Sequence, residues 1–205
     1  MEIKFKKIRI RNFRGLVSFD ANLEGRSVRI SGANGLGKSS VADAITWVLF
    51  GKDSRRRTAF PIDPVDDAGR IIHNLDVSVE LEMLIDGQPT TLRRRRQEKW
   101  VQKRGMTTEQ LDGHQTTCYI DGRPLPSSDF SAHVDTIVKE ELFRALTTPD
   151  YFPSLPMDQQ YRLLVKIVGT RTLAEIAAKD EEAMKVVDEL GQRSLIDLLN
   201  AQNQF

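Results

Sequence analysis

The sequence is poor in cysteine and histidine, with one and three respectively. Cys118 has no partner for an internal disulfide, and His73, His114 and His133 lack the spacing of a zinc site or a catalytic triad. Cys118 reads most simply as a strand residue in Thr117-Cys118-Tyr119-Ile120. Long apolar runs are missing too. No stretch reaches the roughly 18 uncharged apolar residues of a spanning helix, and Met1-Glu2-Ile3-Lys4-Phe5-Lys6 lacks the apolar centre of a signal peptide. A cytoplasmic location with no membrane partner is expected. Neither sign of charge dominates: 30 basic and 29 acidic side chains leave a net +1, which gives no global argument for an acidic partner.

The charge that is present is unevenly spread. Basic residues gather in 4–14, 55–57 and 93–104, whereas the C-terminal stretch holds Asp180, Glu181, Glu182, Asp188 and Glu189. Such asymmetry is compatible with nucleic-acid contact. In the densest cluster, Arg93-Arg94-Arg95-Arg96 with Lys99, Trp100, Lys103 and Arg104, strand alternation lets only about half of the charges share a surface. Phosphate-backbone contact and a solvated hairpin edge whose charge blocks edge pairing are both open readings.

Gly32-Ala33-Asn34-Gly35-Leu36-Gly37-Lys38-Ser39 is a complete G-x-x-x-x-G-K-S phosphate loop. An apolar run with Val28 and Ile30 precedes it and helical spacing of Val41, Ala44, Ile45, Val48 and Leu49 follows, closed by Gly51. Glycines let successive N–H groups from Asn34 to Ser40 point inward as an anion cradle. Lys38 can reach β- and γ-phosphates, the Ser39 hydroxyl can ligate Mg²⁺, and the helix start offers its positive end to the same phosphates. The motif thus points to ATP with Mg²⁺, with Gly32, Asn34, Gly35, Leu36, Gly37, Lys38, Ser39 and Ser40 as nucleotide-binding residues, Lys38 as the catalytic one and Ser39 as the metal ligand.

Elsewhere the patterns predict strands over 3–13, with a bulge at Lys6-Lys7, over 16–19, and over 26–31 feeding the loop. Residues 52–70 read as an exposed connection. A hairpin is predicted from 76–85 and 90–100 around Asp86-Gly87, then a strand over 116–120 ending at Asp121-Gly122. One helix is predicted through Phe130, Val134, Ile137, Val138, Leu142 and Leu146, and another over 156–168 closed by Gly169. A capping box at Thr172-Leu173-Ala174-Glu175 opens a helix through Leu190, and Ser194-Leu195-Ile196-Asp197 has the form of a second cap.

The stretch Ile8-x-Ile10-x-Asn12-Phe13-Arg14-Gly15, with Gly32-x-Asn34-Gly35-x-Gly37-Lys38-Ser39-Ser40-x-x-Asp43-Ala44-Ile45-x-Trp47-x-Leu49-Phe50-Gly51, resembles the N-terminal lobe of SMC-like ATPases. That group includes SbcC-type repair ATPases, RecF, RecN and related phage and prophage proteins. The resemblance implies an α/β P-loop NTPase of ABC head type, with a mixed sheet around the phosphate-loop helix, an antiparallel sheet and a helical end. Residues 1–170 would be the N-terminal lobe, and 171–205 a helical extension leading to a coiled coil or a C-terminal lobe. It further implies a second head as homodimeric partner on nucleotide binding, DNA as a partner, and a nuclease subunit in some relatives. In that family the arginine of Asn-Phe-Arg approaches nucleotide, which makes Arg14 the matching residue. An arginine after the loop helix does the same, and spacing does not choose among Arg55, Arg56 and Arg57.

Departures from the family pattern bear on hydrolysis. No glutamine stands in Leu146-Thr147-Thr148-Pro149-Asp150-Tyr151-Phe152, where those ATPases carry a metal-contacting one; Gln159 and Gln160 fall in a helical pattern. Neither an apolar strand ending in Asp-Glu nor a Ser-Gly-Gly signature is evident, since Val186-Val187-Asp188-Glu189 sits in helical spacing. The chain is expected to be one lobe of a larger ATPase that binds ATP and turns it over barely by itself. A nucleotide-gated scaffold with incidental hydrolysis is the alternative, and a small-molecule kinase a third reading.

Overall fold

Alternation of apolar and polar residues sets the architecture. In the computed structural model, which describes residues 2–66, 68–102 and 108–169, six strands form one sheet in the order β2-β1-β3-β4-β5-β6. They are β1 (Ile3–Phe13), β2 (Leu16–Asn22), β3 (Val77–Ile85), β4 (Gln88–Val101), β5 (Gln110–Ile120) and β6 (Arg123–Leu125), and every pairing is antiparallel. The pairing of β1 with β3 slips between Phe5 and Lys7, the bulge foreseen from the change of phase there. Asp86 (φ 48°) and Gly87 (φ 84°) make the tight turn of the β3–β4 hairpin. Asp121 (φ 49°) and Gly122 (φ 79°) repeat the device before β6, a strand the sequence reading did not foresee.

One face of the sheet is apolar. Ile8, Ile10, Val77, Val79, Leu81, Met83, Leu92 and Cys118 are all buried there. Helix α1 (Lys38–Phe50) lies against β1, β3 and β4 and is buried on most sides, with Val41, Ala44, Trp47, Val48 and Leu49 in the core. Trp47 packs on Phe13 with ring centroids 5.4 Å apart. Gly51 ends α1 in the left-handed conformation (φ 71°), its N–H donating to the Trp47 carbonyl at 2.9 Å.

The single helix expected over 130–146 is two: α2 (Ser127–Ile137) and α3 (Glu140–Thr147). Val138 (φ −155°, ψ 130°) and Lys139 (φ −71°, ψ 136°) are extended between them. Tertiary packing overrides the local pattern here. The break lets α3 set Phe143 edge-on against Phe50, centroids 5.4 Å apart, and buries Arg144 against the carbonyls of Asp53 (3.1 Å) and Ser54 (3.0 Å). Residues 52–70 are correspondingly less exposed than their composition suggests, because Asp53, Ile62 and Pro64 are buried.

The strand expected over 26–31 is also absent as a paired element. The segment is open backbone, with Val28 51% and Ile30 42% exposed, and no strand among the described residues bonds to it. A strand needs a neighbour for its backbone groups, and apolar sequence alone does not supply one. The described sheet is accordingly wholly antiparallel, and the parallel component of a mixed sheet is not among its pairings.

Chain contacts divide after Thr148. The second unit opens with α4 (Tyr151–Ser154) and α5 (Met157–Val168), the latter closed by Gly169 as foreseen. Gln159 and Gln160 stand on α5, and the Gln160 amide donates to the Leu155 carbonyl at 2.7 Å. The expected extension over 171–205, its two caps and the 186–189 stretch lie outside the described residues.

Candidate nucleotide-binding site

The loop between 31 and 37 is solvent-facing and curled, as two glycines with positive φ allow: Gly35 at 88° and Gly37 at 83°. Gly37 is also pinned by its neighbours. A Cβ there would stand 2.7 Å from Cδ2 of Leu16, so a side chain at this position has to displace that of Leu16. The Lys38 ammonium donates to the carbonyls of Gly32 (2.9 Å) and Ala33 (2.8 Å) and so crosses the loop it closes. Gly37 is the N-cap of α1 and gives it no side-chain cap, and the first helical bond runs from the Val41 N–H to the Gly37 carbonyl. The N–H groups of Lys38, Ser39 and Ser40 precede that bond, and such first-turn donors have no partner within their own helix. Gly32, Asn34, Gly35 and Leu36 complete the exposed loop, Ser39 is exposed on the first turn, and Ser40 turns into the core.

Beside Ser39 lies a polar pocket of about 360 Å³ lined by Arg14, Ser39, Asp43, Asp53, Ser54, Arg55 and Arg57. Arg14 is in the turn between β1 and β2 at φ 54°, its N–H held by the Ile62 carbonyl at 2.8 Å. Its guanidinium is ion-paired with Asp43, one helical turn beyond Ser39 on α1. The other Asp43 oxygen accepts from the Ser54 N–H at 2.9 Å and from the Ser54 hydroxyl at 2.5 Å.

Asp53 organises the loop that follows α1. Burial raises its pKa, but the Arg57 backbone N–H, the Arg57 guanidinium and the Arg55 N–H outweigh that and leave the carboxyl below its ordinary value. Arg57 is therefore held on Asp53, and Arg55 and Arg57 both line the pocket. Glu140 supports this loop from α3. Burial again raises its pKa, and hydrogen bonds from Lys52 (2.7 Å) and Arg144 (2.8 Å) bring it below the ordinary value.

Sequence reasoning quoted Asp43 without giving it a role and did not notice Asp53. The signal was there: both are acids in otherwise apolar or basic surroundings, and Asp43 lies four residues after Ser39, on the same helical face.

The arginine run on β4 is committed elsewhere. Arg94 is 8% exposed, facing the core with its guanidinium 5.8 Å from the Trp47 ring and 5.3 Å from the Phe130 ring. Burial lowers its pKa. Arg95 pairs with Asp76, and Arg96 with Asp63 at 3.2 Å. Arg93 stacks over Tyr119 at 5.5 Å and reaches the Ser78 hydroxyl at 3.3 Å. Trp100 serves packing and donates to Glu98 at 3.0 Å, which also holds His73 at 2.6 Å. Lys103 and Arg104 lie outside the described residues.

No curated protein matches the chain. Among solved structures, one described under ATP-driven dimerization and DNA-stimulated activation of SMC ATPases is 18% identical, with a TM-score of 0.47 over 86% of this chain and 98% of that one. The Smc head domain with coiled coil and joint from Pyrococcus yayanosii is 17% identical, TM-score 0.46, over 92% of this chain and 36% of that one. The recombination mediator RecF with ATP is 13% identical, TM-score 0.39, over 91% and 53%. This chain thus spans about a third to a half of the latter two. A family model described as AAA domain matches residues 7–200, taking in the phosphate loop, α1 and the sheet beneath it. In keeping with its resemblance to SMC-like ATPases, the chain belongs to the AAA domain family.

Proposed function

We propose that the chain is the ATP- and Mg²⁺-binding part of an ATPase that works on DNA in repair or recombination. The observation that supports this most is the loop itself: a solvent-facing glycine curl, bridged by the Lys38 ammonium, leads straight into an uncapped helix start. The N–H groups from Asn34 to Ser40 would bind phosphate oxygens, and Lys38 would neutralise β- and γ-phosphate charge. Arg14, beside Ser39 in the same pocket, would add a guanidinium suited to phosphate. Of the three consecutive arginines, Arg55 is the one this reading assigns to nucleotide, since Arg57 is held by Asp53.

The residues fit magnesium in one way. Among the described residues no group of three or more His, Cys, Asp or Glu converges on a point; the Ser39 hydroxyl would hold a cation that takes its other ligands from phosphate and water. The ion would supply charge neutralisation at the β- and γ-oxygens.

In this reading a second head and a C-terminal lobe complete the hydrolytic site, and DNA engagement follows their closure. Calorimetric titration of the 205-residue chain with Mg-ATP tests the binding step. Saturable binding that Lys38→Ala weakens at least tenfold, with phosphate release near the buffer rate, is the expected result. Binding indifferent to Lys38, or brisk turnover by this chain alone, overturns the reading.

A further inference from the structure

We infer that Asp43 is a positioning residue that holds two arginine-bearing segments in place on either side of the phosphate loop, and this deepens the ATP-binding reading on which it rests. The starting observation is a carboxylate where a helix has no local use for one. Asp43 stands mid-helix in α1, away from either end, with Ala44, Trp47 and Val48 buried around it, and is itself only 4% exposed. A carboxylate so placed is costly unless its oxygens are satisfied. Both are, and each by a different stretch of chain.

One oxygen takes the Arg14 guanidinium from the β1–β2 turn. The other takes the Ser54 N–H and hydroxyl from the loop after α1. The first segment is 29 residues away in sequence and the second 11. Neither is held by Asp43 alone: the Ile62 carbonyl fixes the Arg14 N–H, and Arg144 holds the carbonyls of Asp53 and Ser54 from the other side. Asp43 is what ties them both to the helix that carries Lys38 and Ser39. The consequence is geometric. Arg14 and Arg55 reach the pocket from opposite segments, and their spacing relative to Ser39 is set through one carboxylate.

Asp43 does not itself touch the proposed nucleotide in this assignment. It acts through Arg14 and through the 53–57 loop. A purely structural carboxylate and a positioning one are separated by coupling. If Asp43 works by aiming Arg14, its removal and the removal of Arg14 cost the same thing once.

The experiment uses the full chain in four forms: wild type, Arg14→Gln, Asp43→Asn and the double variant. Hydrogen–deuterium exchange of the nucleotide-free proteins is read over 13–16 and 53–57, and Mg-ATP affinity by calorimetry. Asp43→Asn is expected to speed exchange in both segments, Arg14→Gln only in the first. Arg14→Gln should weaken Mg-ATP about tenfold, Asp43→Asn by at least as much, and the double variant no further than Asp43→Asn alone. Additive losses, tighter binding in Asp43→Asn, or unchanged exchange in 53–57 overturn the assignment. Should Asp43→Asn not fold, Ser54→Ala substitutes: faster exchange confined to 53–57 supports the assignment and no change refutes it. If wild type and Lys38→Ala bind Mg-ATP equally poorly, the nucleotide reading is what has failed, and the exchange data still decide the role of Asp43.

Discussion

Leu16 packs where a side chain on Gly37 would have to go, its Cδ2 only 2.7 Å from the position of a Cβ. The first residue of β2 thereby fixes the last turn of the phosphate loop, and Gly37 at φ 83° is required both by its dihedral and by this contact. Gly35, at φ 88°, has open space around it. Gly37→Ala is therefore expected to be the more damaging change: about 2 kcal/mol or more of stability from strain and overlap, against about 1 for Gly35→Ala. Urea unfolding of the two variants checks the order. Leu16→Ala combined with Gly37→Ala should recover part of the loss, because it removes the overlap and leaves the dihedral strain.

Arg94 predicts an unusual outcome for a buried arginine. It has two aromatic rings and a long (3.4 Å) contact to the Val48 carbonyl, but no carboxylate partner among the described residues, and burial opposes its charge. Replacing a poorly compensated buried charge by an apolar residue of similar length is commonly neutral or stabilising. Arg94→Met should change stability by less than about 1 kcal/mol, while Arg94→Ala, which leaves a cavity beside Trp47 and Phe130, should cost about 3 kcal/mol. A chemical denaturation pair measures this; equal losses for Met and Ala would show that the charge itself is needed.

The paired arginines of β4 lead to a prediction about DNA. Arg95 and Arg96 are ion-paired with Asp76 and Asp63, so Arg95→Gln and Arg96→Gln are expected to lower the melting temperature modestly and to leave unchanged the salt dependence of the DNA binding proposed for the ATPase. A salt slope that falls by about one per substitution would instead place these guanidinium groups on phosphates.

The acid limb of stability follows from Asp53 and Glu140. Both carboxyls are held below their ordinary values of 3.8 and 4.5, so as pH falls the unfolded chain takes up these protons first. Their contribution is whole above about pH 5 and is lost as pH drops through 4.5 and 3.8 toward the depressed folded-state values. Asp53→Asn should be less stable at pH 7 and show a shallower decline toward pH 3. Parallel acid limbs for the variant and the wild type would remove Asp53 from the account.

Much of this was legible in the residues. Strict alternation at Val77, Val79, Leu81 and Met83 and the Asp86-Gly87 turn marked the hairpin, and the Lys6-Lys7 phase change marked the bulge. The phosphate loop and its buried helix were carried by the Gly32–Ser39 string and the spacing after it. What escaped was decided by distant partners. Nothing in Val138-Lys139 signals a helix break; the demand comes from Phe50 and from the carbonyls of Asp53 and Ser54. Nor could composition say that a loop rich in arginine would wrap around one buried aspartate. Pairwise tertiary bonds of that kind have no periodicity to betray them.

The stretch from 26 to 31 has a practical corollary. It leads from the β-sheet to the phosphate loop with Val28 and Ile30 uncovered and its backbone donors unladdered, next to an apolar trough of about 390 Å³ between β1, β2 and α1. Bare backbone beside greasy side chains recruits whatever extended polypeptide comes near. Purified alone, this chain should self-associate as its concentration rises, and light scattering should register that before any loss of secondary structure.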